Sequence, residues 1–242
     1  MKVTYIGHSG FLLETEAANF LFDYYEGEIP ILEKEKPLVV FVSHSHHDHY
    51  NPEIFALLAV YQNIKFILSD DVTIDYGKLW QLIQHKEKKS YFTLLGPGGS
   101  HIVSIPGAED MKVTALKSTD EGVAFLAEYK GKTIYHAGDL NLWLWEEESE
   151  EYRQEMQKEY EKAMEVLEGR KIDAAFIPLD PRLEKTAYRG MEYYLEHTDS
   201  DWVFPMHFWE DYGIIDRFLE KHPEYDGIVQ RIQKPGETFE KE

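Results

Sequence analysis

The chain has 242 residues, a formal net charge of −20 and no cysteine. This length suits one full hydrophobic core, and we expect a single domain over residues 1–242. The lack of cysteine excludes disulfides, thiolate catalysis and cysteine-ligated metals, and it fits a cytoplasmic protein. The acidic charge argues against a nucleic-acid substrate, and the apolar runs are too short to cross a membrane. We therefore expect a globular protein without nucleic-acid or membrane partners.

Short strands bounded by turn residues are predicted in the first part of the chain. They cover Val3–Ile6, Phe11–Glu14, Phe20–Phe22 and the buried run Leu38–Val42. Asn51 followed by Pro52 is typical of a helix start and predicts a helix over Ile54–Tyr61. The residues between the last strand and this helix therefore form a strand-to-helix loop.

A second run of strands and helices follows. After a strand at Ile64–Leu68 and a helix at Leu79–His85, turn residues separate predicted strands at Tyr91–Leu95, His101–Ile105, Lys112–Leu116, Val123–Glu128 and Thr133–Tyr135. An apolar stripe at helical spacing predicts a helix between Glu146 and Gly169. The remaining predicted elements are strands Ile172–Ile177 and Trp202–Met206 and helices near Gly190–His197 and Ile215–Lys221. The order of strands and then helices thus occurs twice.

The predicted strand-to-helix loop contains His44, His46, Asp48 and His49. Three imidazoles and one carboxylate within six residues indicate a metal site, because a loop can turn several side chains toward one point. Nitrogen and oxygen ligands suit zinc best here, and manganese or iron also fit. One ion cannot readily take all four side chains from so short a loop, so one or two ions are expected.

This motif, His-x-His-x-Asp-His after a buried strand, resembles the signature of the metallo-β-lactamase superfamily of metal-dependent hydrolases. Tyr5–Phe11 resembles the opening strand and loop of its ascorbate-phosphate lactonase-like branch. Tyr135–Asp139 and Phe204–His207 resemble the strands that lead to the later metal ligands. The resemblance implies an α/β (α+β) fold, a four-layer αββα sandwich with two mixed sheets face to face and the metals at one edge.

The resemblance also implies a role for each ligand. One metal would be bound by His44 and His46, the other by Asp48, His49 and His207, and Asp139 would bridge the two. The superfamily normally adds a third histidine to the first site, and Ser118 occupies that position here. Water could fill the gap, Asp120 could replace the histidine, or the first site could be vacant.

The function implied is hydrolysis of a small molecule, with a lactone or a phosphoester as the expected substrate. A metal-bound hydroxide would attack the substrate, and Asp48 would orient the water or carry its proton. A redox metal protein and a non-catalytic binding module with an altered first site are the alternatives. His8 is expected to border the metal pocket.

Further residues near the predicted ligands allow two interpretations each. Aromatic side chains could wall a substrate pocket or belong to the core; they are Trp143, Trp145, Phe208 and Trp209. Basic side chains before the last ligand strand could grip an anionic substrate or be surface charge; they are Arg182, Lys185 and Arg189. His136 is expected to make buried hydrogen bonds, and His47 to point away from the site.

Overall fold

Two large β-sheets form the centre of the computed structural model, which describes residues 1–75, 77, 79 and 91–241. The first sheet has the spatial order β15-β1-β2-β3-β4-β5-β6. Its strands are β1 (Lys2–Gly7), β2 (Gly10–Glu14), β3 (Asn19–Phe22), β4 (Leu38–Val42), β5 (Ile64–Ser69), β6 (Phe92–Leu95) and β15 (Thr238–Glu240). The strands from β15 to β3 pair antiparallel and those from β3 to β6 parallel, so the sheet is mixed.

The second sheet is also mixed and has the order β14-β12-β10-β9-β8-β7. Its strands are β7 (Gly99–Val103), β8 (Met111–Lys117), β9 (Val123–Tyr129), β10 (Lys132–His136), β12 (Ala174–Pro178) and β14 (Val203–Met206). Strands β10, β12 and β14 run parallel, while β7 to β10 are antiparallel. A small parallel pair joins β11 (Lys171–Ile172) to β13 (Asp199–Ser200).

The helices are α1 (Leu57–Val60), α2 (Glu150–Met164), α3 (Arg189–His197) and α4 (Gly213–Lys221), with 3-10 turns at Pro52–Ala56, Glu165–Leu167, Pro181–Thr186 and Pro223–Tyr225. Ser149 starts α2 by accepting a hydrogen bond from the amide of Tyr152. Met156 and Tyr160 on the predicted stripe are buried, and the glutamates cover the outer face. Within the described residues, no helix is long and apolar enough to span a membrane.

The alternation of side chains along β4 shows how the layers pack. Val39 and Phe41 belong to the core cluster between the sheets, where the Phe41 ring lies 5.2 Å from that of Phe125 in the second sheet. Val40 belongs to a separate cluster on the other face, under Ile54 and Leu58. A strand buried on both faces in this way confirms the αββα sandwich.

Most predicted elements are confirmed, and the differences have local causes. The helix at Ile54–Tyr61 is a 3-10 turn followed by one α-helical turn, because the chain is already extended at Tyr61. β7 ends at Val103, two residues before the predicted end, because its pairing with the neighbouring strand β8 ends where Val103 lies opposite Met111. The predicted helix Leu79–His85 lies, apart from Leu79, outside the described residues.

Candidate metal centre

All predicted metal ligands follow the carboxyl ends of strands. The segment His44–His49 follows β4, Asp139 follows β10 and His207 follows β14. The parallel strands of each sheet end at the same edge, where loops can converge on a ligand. His8 follows β1, whose end reaches the same place, since the His207 amide donates a hydrogen bond to the His8 carbonyl.

Two groups of ligand atoms converge at this edge. The first contains His44, His46 and Asp139, and the second contains His8, Asp48, His49 and His207. Within each group, one nitrogen or carboxylate oxygen per residue lies within 4.8 Å of all the others. The structure thus brings together all six residues that the sequence predicts as ligands, and it adds His8.

Asp139 lies between the two groups. Its Oδ2 is 3.4 Å from Nε2 of His44 in the first group. Its Oδ1 is 3.1 Å from Nε2 of His49 and 3.5 Å from Nε2 of His207 in the second group. Trp143 donates a hydrogen bond from Nε1 to the Asp139 carbonyl and holds the loop in place. One carboxylate oxygen therefore faces each group, which is the arrangement of a bridging ligand.

The buried carboxylate of Asp23 orients two of the histidines. It accepts hydrogen bonds from Nδ1 of His49 at 2.8 Å and from the Ser43 hydroxyl. An ionised carboxylate can only accept hydrogen bonds, so the Ser43 hydroxyl must donate its hydrogen to Asp23. The Ser43 oxygen can then accept a hydrogen bond from Nδ1 of His44, which lies 2.9 Å away. Both rings therefore turn Nε2 toward Asp139, and the neutral His44 ring presents a lone pair there.

Asp180 orients His207 in the same way. Its Oδ2 accepts a hydrogen bond from Nδ1 of His207 at 2.8 Å, and the Asp180 carboxylate is fully buried. Arg182 donates from Nε and Nη2 to this carboxylate and keeps it ionised. Such outer contacts fix the direction of a metal-binding imidazole.

The electrostatics of the cluster favour a cation. Burial, together with the nearby His49, lowers the pKa of His44 to about 4, so His44 is neutral at pH 7. Burial also lowers the pKa of His49, but the charges of Asp139 and Asp23 outweigh burial and raise it to about 10. Burial would raise the pKa of Asp139, yet the surrounding histidines hold it far below the usual range. A metal ion would replace the proton that these carboxylates retain on His49.

The side chains present fit metal ions. Within the described chain, four buried atoms of the cluster lack a hydrogen-bond partner: Nε2 of His8, His44 and His49, and Oδ1 of Asp139. Buried polar atoms are normally paired, so their convergence requires an explanation. Two ligands of one tetrahedral zinc ion are about 3.4 Å apart for metal–ligand bonds of 2.0–2.1 Å. The Asp139–His44 and Asp139–His207 separations of 3.4 and 3.5 Å match that value.

Asp48 is half-buried, with Oδ2 3.5 Å from Nε2 of His8. Burial alone would raise the pKa of this carboxyl, but His8 and His49 lower it well below the usual range. Asp48 is therefore ionised and suited to metal binding, and it is a weak base for proton transfer.

The Ser118 region adds no side chain to the first group, which keeps three candidate ligands among the described residues. Ser118 is buried, and its hydroxyl accepts a hydrogen bond from the amide of Asp120. Asp120 lies on the wall of the same cleft but belongs to neither ligand group. Burial and the charge of Asp139 raise the pKa of Asp120.

A cleft of about 370 Å³ opens over the ligands. It is lined by His46, Asp48, Thr119, Asp120, Asp139, Trp143, Trp145, Tyr152, Arg182 and His207. A larger groove of about 710 Å³ lies elsewhere; its walls are mainly apolar and hold none of the candidate ligands. The cleft over the ligands is therefore the candidate site.

The predicted pocket residues separate into two sets. Trp143 and Trp145 line the cleft, and the Trp209 ring lies 4.5 Å from that of His8. The interpretation of Phe208 as a pocket wall is wrong, because its ring is fully buried in the core against Tyr5. Arg182 lines the cleft, whereas Lys185 pairs with Glu146 at the surface.

Two other histidines occupy their predicted places. His136 is buried between Gly138, which donates to its Nδ1, and the carbonyl of Ser9, which accepts from its Nε2. His47 is exposed and belongs to neither ligand group.

Unusual backbone geometry is concentrated at this centre. Six non-glycine residues of the described chain have positive φ, and His8, Asp23, His207 and Trp209 are four of them, with φ of 51°, 40°, 62° and 55°. Such conformations cost about 1–3 kcal/mol each and persist where surrounding contacts enforce them. Their clustering marks the site independently of the ligand pattern.

The orienting roles of Asp23, Ser43 and Asp180 were not predicted. Asp23 and Asp180 each lie just beyond a buried strand, β3 and β12, which is a detectable signal. However, Asp180 precedes Pro181 and also serves as an ordinary helix cap, so the sequence offers a simpler reason for it.

Comparison with known proteins agrees with this geometry. Residues 2–155 match the family described as a beta-lactamase superfamily domain. That stretch includes the His44–His49 loop and Asp139. The chain therefore belongs to the metallo-β-lactamase superfamily.

Relatives cover the chain to different extents. A protein from Opitutus terrae named UPF0173 metal-dependent hydrolase is 32% identical over 160 residues, and the match covers 59% of this chain and 64% of that relative. The chain thus spans just under two thirds of that relative's length. A protein of the same description from Geobacillus sp. is 28% identical over 264 residues, covering 99% of this chain and 100% of the relative.

A solved structure shows the same fold. Igni18, described as a novel metallo hydrolase from Ignicoccus hospitalis, gives a TM-score of 0.63 and covers 100% of this chain and 99% of that one. At 19% identity, this likeness concerns the fold alone.

Proposed function

We propose that the protein is a metal-dependent hydrolase that acts on a small molecule in the cytoplasm, with zinc as the preferred ion. The observation that carries this proposal is the convergence of unpaired buried atoms around Asp139. The names of the Opitutus terrae and Geobacillus relatives support it. The cleft over the ligands gives a small substrate access to them.

Bound metal would supply a Lewis acid and lower the pKa of a coordinated water. His44, His46 and Asp139 would hold one ion, and Asp48, His49 and His207 the other, with Asp139 shared. Asp23 and Asp180 keep the imidazoles in place through Nδ1, so the centre needs little reorganisation when substrate binds. Trp143 and Trp145 line the cleft with two stacked rings whose centroids lie 6.0 Å apart.

For the substrate, we propose a lactone or a phosphoester, and the charge of the cleft favours an anionic group. Among the described residues that line the cleft, Arg182 is the only lysine or arginine. Three carboxylates line it as well, from Asp48, Asp120 and Asp139, and two divalent ions would outweigh them. An anion would then be attracted to the metals and to Arg182.

The test combines elemental analysis with turnover. Protein purified without chelator should contain zinc, and Asp139→Asn should lose most of it. Turnover in a panel of lactones, phosphoesters, thioesters and amides should disappear in Asp139→Asn and persist in the exposed control Asp110→Asn. A wild-type protein without any transition metal, or turnover that survives Asp139→Asn, would contradict the proposal.

A further inference from the structure

His8 lies among the candidate metal ligands, although the resemblance to the superfamily assigns it no ligand position. Its side chain is 3% exposed, and its Nε2 has no hydrogen-bond partner in the described chain. The nearest carboxylate oxygen, Oδ2 of Asp48, is 3.5 Å away, which is too far for a good hydrogen bond. This distance lies within the range of about 2.8–3.6 Å expected for neighbouring ligand atoms of one zinc ion, for metal–ligand bonds of 2.0–2.1 Å and bond angles of 90–120°.

The backbone also holds His8 in place. Its φ of 51° is rare for a non-glycine residue, and the amide of His207 donates to its carbonyl at 3.3 Å. The His8 and His207 rings lie 4.2 Å apart between centroids. A solvated loop histidine would need neither the strain nor the burial.

The two ligand groups are consequently unequal. The second group contains three buried imidazoles and Asp48, and two of its imidazoles are fixed by buried carboxylates. The first group contains two imidazoles and shares Asp139, and its His46 is exposed. The His46 ring contacts the His44 ring but makes no hydrogen bond within the described residues, so no polar contact fixes the direction of its nitrogens before metal binds.

We propose that His8 is a further protein ligand of the second site, in addition to Asp48, His49, His207 and the shared Asp139, and that this site therefore fills first and binds its ion more tightly than the first site. A metal-depleted protein would hold one ion at this second site. The second ion would enter the weaker site at His44, His46 and Asp139 only at higher free metal. This inference rests on the metal centre of the proposed function and is independent of the reaction.

Cobalt titration of the chelator-stripped full chain tests the order of filling. Visible absorbance counts the bound ions, and competition with a chromophoric chelator gives each affinity. Asparagine tolerates positive φ and is too short to replace the imidazole, so His8→Asn is the informative variant. His46→Asn removes a ligand of the other group, and the exposed neighbour His47→Asn is the matched control.

The wild type should bind two ions in separate steps. His8→Asn should weaken the first step by about tenfold or more, His46→Asn should weaken only the second, and His47→Asn should match the wild type. If His8→Asn matches His47→Asn, or if His46→Asn weakens the first step, the inference is wrong while the metal centre stands. If the wild type binds no cobalt, the metal centre and the proposed function fail together.

X-ray absorption of wild-type protein gives a result that needs no variant. With half an equivalent of zinc, imidazole scattering should correspond to three histidines per ion. A count of two would overturn the role of His8 even if His8→Asn did not fold.

Discussion

Asp180 and His207 are joined by a 2.8 Å hydrogen bond between Oδ2 and Nδ1, which makes the ring direction of a candidate ligand depend on a residue 27 positions away. Without it, Nε2 of His207 would no longer be held 3.5 Å from Asp139. We expect Asp180→Ala to lower metal affinity by about 10–100-fold, the usual effect of losing such a contact. Isothermal titration calorimetry with zinc measures this change in affinity.

The control for Asp180→Ala is Asp110→Ala, which removes an exposed carboxylate between β7 and β8. It should bind zinc as the wild type does. Equal affinities in the two variants would show that His207 is oriented by other contacts.

Gly122 lets two loops approach each other at His44. A Cβ at this position would lie 2.1 Å from the Ser43 carbonyl oxygen and 2.5 Å from Cβ of His44, and the φ of Gly122 is +66°. Gly122→Ala must therefore push the His44 backbone away from Asp139. We expect a loss of about 2–4 kcal/mol in unfolding free energy, the sum of overpacking and left-handed strain. Metal stoichiometry should fall with it.

Gly131→Ala is the control for Gly122→Ala, because it introduces the left-handed backbone strain without the steric clash. Its φ is +73°, but no atom lies within 4 Å of the added Cβ. We expect a loss of about 1–2 kcal/mol and unchanged metal binding. Similar urea midpoints and metal contents for the two variants would contradict the close approach at Gly122.

The candidate ligands could be proposed from sequence because those of the first segment stand close together and the resemblance pointed to Asp139 and His207. Four of them lie within the His44–His49 loop, and a buried strand precedes both Asp139 and His207. The αββα sandwich was predicted through the resemblance to the superfamily and not from the strand patterns. The resemblance supplied the layer order, which strand patterns alone do not determine.

Residues that act through tertiary contacts could not be predicted. Asp23 lies 20 positions from Ser43 and 26 from His49, and no local pattern links them. β15 escaped prediction because it has three residues and exists through its pairing with β1. His8 was recognised as a neighbour of the pocket, but its grouping with Asp48 requires the fold.

Asp23 contributes both to the stability of the fold and to the orientation of the candidate metal ligands. It is fully buried and accepts from the Ser43 amide at 2.8 Å, the Ser43 hydroxyl and His49. Asp23→Ala would leave these donors buried without their acceptor. We expect the metal-free protein to lose about 3–5 kcal/mol in unfolding free energy, as when one member of a buried ion pair is removed.

Urea unfolding in chelator measures the effect of Asp23→Ala, with Glu155→Ala as the comparison. Glu155 pairs with Lys158 on the exposed face of α2, and such surface pairs contribute about 1 kcal/mol or less. The Asp23 variant should therefore unfold at clearly lower urea. If the two midpoints coincide, the Asp23 contacts contribute little to the fold.

Arg182 is the cleft residue that we propose binds the anionic part of a substrate. Its guanidinium carbon lies 5.0 Å from the Trp209 ring and 5.7 Å from the Trp145 ring, and Asp180 holds Nε and Nη2. The guanidinium is thus fixed at the cleft wall with Nη1 making no hydrogen bond in the described chain. Hydrogen bonds to a charged group contribute about 1.5–3 kcal/mol, so Arg182→Gln should lower kcat/KM for a phosphoester by about 10–100-fold.

A neutral lactone distinguishes substrate binding from support of Asp180. If Arg182 binds the anion, Arg182→Gln should lower kcat/KM for the phosphoester and leave that for the lactone nearly unchanged. If Arg182 only keeps Asp180 in place, both substrates should be affected equally through His207. Lys185→Gln removes a nearby cation that is 81% exposed and pairs with Glu146, and it should change neither value. An equal loss for both substrates in Arg182→Gln would therefore assign Arg182 to the metal centre and not to the substrate.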